Sequence, residues 1–156
     1  MVVLTSYHRL FTRVMTRKNV NNLEDLFVRG RGSRGTHDSL IDRVAHNYLL
    51  KPGILEVVRN GDYRGGGFCG EVDLLLMRYN VAGWGVVDDY RLLPPSSCCL
   101  LLFEIKSVDS ERNRLKAYKQ LSRADGFLRS VGGFDFVNCA YVYGFRGSHS
   151  WVLEPL

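Results

Sequence analysis

The chain has 156 residues, 46% apolar and 24% charged, with a formal net charge of +5. These proportions fit one ordinary domain that buries a core and argue against wholesale disorder. No apolar run approaches the roughly 18 residues that span a bilayer, so no transmembrane segment is expected.

Residues 4–18 space Leu4, Tyr7, Leu10, Phe11, Val14 and Met15 as a helix does, with Arg9, Arg13 and Arg17 on another face. The first 23 residues lack acids and also carry Lys18, a loose resemblance to an organellar transit peptide. Asn22 is placed to cap a short second helix with Asp25 in its first turn. Next comes VRGRGSRGTHD, in which Gly30, Gly32 and Gly35 match GxGxxG, with Glu56 downstream. That pattern admits a dinucleotide-binding enzyme as one function class. Only Leu26–Val28 precede it as an apolar stretch and no repeated βαβ pattern follows, so Arg29, Arg31 and Arg34 read instead as a flexible basic loop.

Residues 38–50 form a helical pattern, with Leu40, Ile41, Val44 and Tyr48 on one stripe and Asp38, Asp42 and His46 on a second. Pro52 and Gly53 stop it. The period then changes. Residues 53–61 read as a strand ending at the turn signal Asn60-Gly61. Gly65–Gly67 lead into a second strand, 70–79, and a polar segment to about Ser97 precedes CCLLLFEIKS. Residues 110–130 predict a long helix with Leu115, Tyr118, Leu121, Ala124 and Leu128 on one side, ended by Gly132-Gly133. FDFVNCAYVYG and SWVLEPL read as two last strands. The first three strands have connections too short or too polar for crossover helices and should form an antiparallel meander. The long helix places the fourth strand parallel to its neighbour. The expected fold class is α/β, a mixed β-sheet flanked by helices in one domain, with residues 1–36 as an extension on a core of 37–156.

Cys69, Cys98, Cys99 and Cys139 form no CxxC pair. They read as small buried apolar residues of a reducing, intracellular compartment rather than as a zinc site or a disulfide framework.

In LLLFEIKS, residues 100–107, strand alternation puts Leu100, Leu102, Glu104 and Lys106 on one face. Two charges thus continue a buried face, which is costly unless they meet each other, a metal or a water-filled cleft. Glu71 and Asp73 share a face of the preceding strand, and antiparallel pairing can bring Asp73 beside Glu104. Two nearby carboxylates repel, and a divalent cation relieves them; oxygen donors suit magnesium or manganese. The chemistry this favours is metal-assisted phosphodiester hydrolysis, with Lys106 as a fixed positive charge at the transition state.

GEVDLLLMR, LLLFEIKS and RLKAYKQLSRA in that order resemble the core motifs of the PD-(D/E)xK nuclease superfamily, which includes Holliday-junction resolvases and RecB-type nucleases. The resemblance implies a restriction-endonuclease-like αβββαβ core over about residues 38–144 with an N-terminal helical extension. It implies Asp73 and Glu104 as metal ligands, helped by the Ile105 carbonyl, with Lys106 catalytic and Gln120 near the site, and Tyr118 as a weaker helix candidate. It also implies Mg2+ or Mn2+ as cofactor and, by analogy with resolvases, a homodimer. Val72 stands before Asp73 where the pattern has proline, and the 30-residue gap to Glu104 is long. On the first helix, Asp42 and His46 are the candidate ligands; a histidine there resembles the manganese-preferring branch that includes viral cap-snatching RNA endonucleases. Glu56 and Glu71 are further assisting candidates.

Arg112, Lys116, Lys119 and Arg123 make one helix stripe suited to a phosphate backbone, with Arg29, Arg31 and Arg34 as a second patch. The expected function is a metal-dependent nuclease acting on nucleic acid, DNA ahead of RNA, directed by backbone or structure. The alternatives are a non-catalytic nucleic-acid-binding protein that keeps the nuclease core and the cap-snatching type of RNA endonuclease.

Overall fold

The structure, a computed structural model, describes residues 23–30, 35–51, 53–79 and 95–156. The expected helix over 4–18, Arg31, Arg34, Gly32, Pro52 and most of the polar segment before Ser97 lie outside the described residues. The elements in order are α1 (Leu23–Leu26), β1 (Val28–Arg29), α2 (Thr36–Leu49), β2 (Ile54–Gly65), β3 (Phe68–Tyr79), a 3-10 turn at Pro95–Ser97, β4 (Cys98–Lys106), α3 (Glu111–Ser130), β5 (Phe136–Gly144) and β6 (Trp151–Pro155). Six strands form one sheet in the order β1-β2-β3-β4-β5-β6. All neighbours are antiparallel except β4 and β5, which are parallel. A parallel pair needs a long crossover, and the 20-residue α3 supplies it.

The central strands are apolar on both faces because each face is covered by a helix. On one side Leu75, Met77, Leu100 and Leu102 pack under Leu121, Ala124, Phe127 and Leu128 of α3. On the other, Leu74, Leu76, Phe103 and Ile105 pack on Leu40, Ile41, Val44 and Ala45 of α2. The mixed sheet between helices, the meander and the parallel step are thus as expected.

Four readings need correction. The strand expected to end at Asn60-Gly61 runs on to Gly65, and the reversal falls at Gly66-Gly67. Those two glycines have φ of 57° and 83°, as a two-residue hairpin loop of the I′ type demands. Asn60 takes φ 48° inside the strand, and a Cβ on Gly61 would lie 2.6 Å from Val58 Cγ1, so the dipeptide serves close packing under Phe27. Second, Val28–Arg29 join the sheet as an edge strand, antiparallel to β2. The GxGxxG segment therefore follows a strand with no parallel partner, which removes the context a dinucleotide site requires. Third, Leu115 is exposed; Ala117 and Phe127 take the inward positions of α3. Fourth, Cys98 and Cys99 are buried, but Cys69 is exposed. Among the described residues no helix is long and apolar enough to cross a membrane.

Candidate active site

The register of β3 against β4 runs from Tyr79↔Cys98 to Leu74↔Phe103 and stops. One step further would pair Asp73 with Glu104. The pleat slips at this point: Val72 and Leu75 both face α3, while Leu74 faces α2. Strict alternation would put Val72 with Leu74. Asp73 sits in the slip, and extending the β2–β3 register places it opposite the positive-φ Asn60.

Where the ladder stops, side chains take over its hydrogen bonds. The Ile105 N–H donates to Asp73 Oδ2 at 2.8 Å. The Ile105 carbonyl accepts from His37 Nε2 at 2.7 Å, and the same nitrogen lies 3.5 Å from Asp73 Oδ2. A carbonyl only accepts, so Nε2 carries the proton. His37 is the second residue of α2 and reaches the sheet from its α2 side. Its pKa is raised, mainly by the hydrogen bond to Asp73, against the opposing effect of burial.

On the other side of β4, Lys106 Nζ donates to Glu104 Oε1 at 2.9 Å and to Gln120 Oε1 at 3.1 Å. Gln120 lies on the sheet-facing side of α3, one residue before buried Leu121. Glu104 is 3% exposed and Asp73 7%. Burial, then the neighbouring Asp73 charge, push the Glu104 carboxyl up to about 8, although Lys106 pulls the other way. Two carboxylates buried side by side, one held short of full ionisation, are a donor set that a divalent cation would relieve. Among the described residues no three His, Cys, Asp or Glu side chains are grouped to hold a metal ion as they stand. The fitting donors are mixed: the carboxylates of Asp73 and Glu104 and the main-chain carbonyl of Ile105, with His37 beside them.

The structure therefore brings Asp73, Glu104, Ile105, Lys106 and Gln120 together. Glu71 lies opposite Asp62 on β2, with its pKa raised chiefly by burial and then by Asp62 and Asp73. Tyr118 is drawn elsewhere, to the Arg114 guanidinium and the edge of the Tyr141 ring. Glu56 is buried opposite Met77, four residues or roughly 13 Å along the strand from Asp73. The two first-helix candidates do not reach the site. Asp42 is exposed and paired with Arg59 at 3.5 Å. His46 is exposed nine residues beyond His37, roughly 13 Å along the helix. The helix does bring a histidine, but from its first turn, one residue before the predicted start at Asp38. The signal was a His-Asp pair shortly after a glycine-rich sequence, in the first turn of the helix.

Arg112, Lys116, Lys119 and Arg123 are all exposed on α3, as is Arg29 on β1. A 480 Å³ cleft lined by His37, Lys106, Ser107, Val108, Asn113 and Lys116 connects the C-terminal end of β4 to that stripe. Comparison of the chain with known protein families, with curated proteins and with solved structures finds no match in any of the three.

Proposed function

We propose that this protein is a divalent-metal-dependent nuclease with a PD-(D/E)xK, restriction-endonuclease-like core. The observation that carries this reading is the convergence of Asp73, Glu104 and Lys106 at the splayed end of β3 and β4, with Lys106 fixed by Glu104 and Gln120. Asp73, Glu104 and the Ile105 carbonyl would hold the cation, and a deprotonated His37 Nε2 would be placed to join them. Bound there, Mg2+ or Mn2+ would polarise a phosphate oxygen and acidify a bound water. The chain's own residues do the rest. Lys106 presents a fixed positive charge to the phosphate as negative charge builds on it. Gln120 holds the ammonium in place beside Glu104. The cleft and the cationic face of α3 take the flanking phosphates without reading bases.

Incubation with single-stranded, duplex and branched substrates in Mg2+ or Mn2+ tests the reading. Cleavage should appear with metal and vanish with chelator. The double variant Asp73→Ala/Glu104→Ala should cut nothing; cleavage by that purified variant would sink the proposal. Salt-sensitive binding without cleavage under either metal would instead support a non-catalytic nucleic-acid-binding protein. That reading draws on the same cationic stripe and on the absence, among the described residues, of a ready-made group of three metal-binding side chains.

The two histidines of α2 give a sharper test of the metal site. His37→Ala should weaken Mn2+ binding, read by calorimetry, by about 10–100-fold, the usual cost of losing a group that supports a metal site. His46→Ala should leave it unchanged. Equal effects of the two substitutions would remove His37 from the site.

A further inference from the structure

The end of β5 brings aromatic rings to the catalytic end of the sheet. Because β5 is parallel to β4, Glu104 pairs with Tyr141 and Lys106 with Tyr143. Phe145 follows at the tip of the β5–β6 hairpin. The rings of Tyr141, Tyr143 and Phe145 are successive neighbours, with centroids 5.5 and 5.8 Å apart. The inner two are held rigid. Arg114 lies over both rings, at 5.2 and 5.8 Å, and is itself bound by Asp109 and Glu154. Tyr141 donates to Asp109 at 2.9 Å. The outermost ring is not covered: Phe145 is 48% exposed, beside exposed Arg146. Gly144 draws the hairpin tip inward, since a Cβ there would lie 3.0 Å from the Ser107 carbonyl and 3.1 Å from Leu40.

An exposed ring on a rigid base, next to a guanidinium and one strand from the catalytic lysine, is the arrangement on which an unpaired base stacks. The neighbouring cleft contains Lys106, Lys116 and His37 and no acid, which complements a phosphate backbone. By strand geometry Phe145 lies about 5 Å across and about 7 Å along the sheet from Lys106, within a nucleotide's reach of a phosphate held there. Bases inside a duplex already stack on each other and offer only their edges, so this ring selects unpaired strand.

We propose that Phe145, with Arg146, is a stacking shelf for a base of single-stranded nucleic acid whose backbone passes Lys106, and that unpaired strand is the substrate class. The inference rests on the nucleic-acid reading of the site. It is tested by binding, in chelator so that nothing is cut, of a labelled homopyrimidine strand and a blunt duplex of the same length. The strand should bind more tightly than the duplex. Phe145→Ala should weaken strand binding about tenfold and leave duplex binding unchanged, while Phe145→Trp should keep it. A strand abasic at the contacted position should lose the same factor with the wild-type protein and nothing further with Phe145→Ala. An unaltered strand affinity in Phe145→Ala, an equal loss on both substrates, or a duplex bound as tightly as the strand would overturn the shelf. Phe145-dependent strand binding without cleavage in Mn2+ would leave the shelf standing and remove the nuclease reading. Cleavage with no Phe145 dependence in binding would do the reverse.

Discussion

Lys106→Ala is expected to lower the rate of phosphodiester cleavage by about 10²–10³, the usual cost of removing one preorganised group at a developing charge. Single-turnover rates should fall, while affinity for a strand measured in chelator changes little, because in the proposed reading Lys116 and its neighbours hold the backbone. The substitution also unpairs buried Glu104. Far-ultraviolet circular dichroism and a urea midpoint must therefore accompany the kinetics. A folded Lys106→Ala protein that cuts at the wild-type rate would show that the ammonium serves Glu104 and not the substrate. Gln120→Ala should give a smaller loss of the same kind, since Lys106 keeps its bond to Glu104.

The second large effect concerns stability. Burial and the Asp73 charge push the Glu104 carboxyl up to about 8 in the folded protein, from 4.5 for the free group. Between those values the folded state holds a proton that the unfolded chain has released. Stability therefore falls as pH rises through that window, the reverse of an ordinary salt-bridged carboxylate. The slope reaches at most about 1.4 kcal/mol per pH unit for one proton. His37, also raised, contributes stability below 6.5 that is lost as pH rises through its folded pKa, so the two act in the same direction. Glu104→Gln imitates the protonated carboxyl and cannot titrate. In chelator, the difference in urea stability between wild type and Glu104→Gln should shift against the wild type from pH 5 to about 8, then level off. Parallel profiles would show that Glu104 ionises without penalty. Mn2+ should restore wild-type stability at the alkaline end, because a cation favours the carboxylate.

The parts of this protein that were legible in its sequence were those governed by a period. The apolar run of β3 placed Asp73 on its strand, alternation in β4 put Glu104 and Lys106 on one face, and the long helical pattern of 110–130 supplied the crossover that makes β5 parallel. What escaped depends on choices between equivalent local signals. Asn60-Gly61 and Gly66-Gly67 both spell a turn; packing of Phe27 against Gly61 keeps the first inside a strand. Leu115 fits an apolar stripe as well as Phe127 does, and only the sheet beneath α3 decides which turns inward. His37 escaped because a helix contributes to this site through its first turn, whereas periodicity describes the middle of a helix. The pleat slip at Asp73 has no sequence signature, since it needs Asn60 on one strand and the end of the β3–β4 ladder on the other.

Ile105 combines two roles that seldom fall on one residue. Its side chain is fully buried against α2, while its amide and carbonyl face the gap between β3 and β4. The position thus asks its side chain only to be apolar and of the right volume, and its backbone to offer both polar groups. Any aliphatic residue of similar size satisfies it, whereas proline would delete the proton that Asp73 accepts. A recognition pattern written in side chains records such a position as a blank between a glutamate and a lysine. At that blank the site is built from the backbone itself.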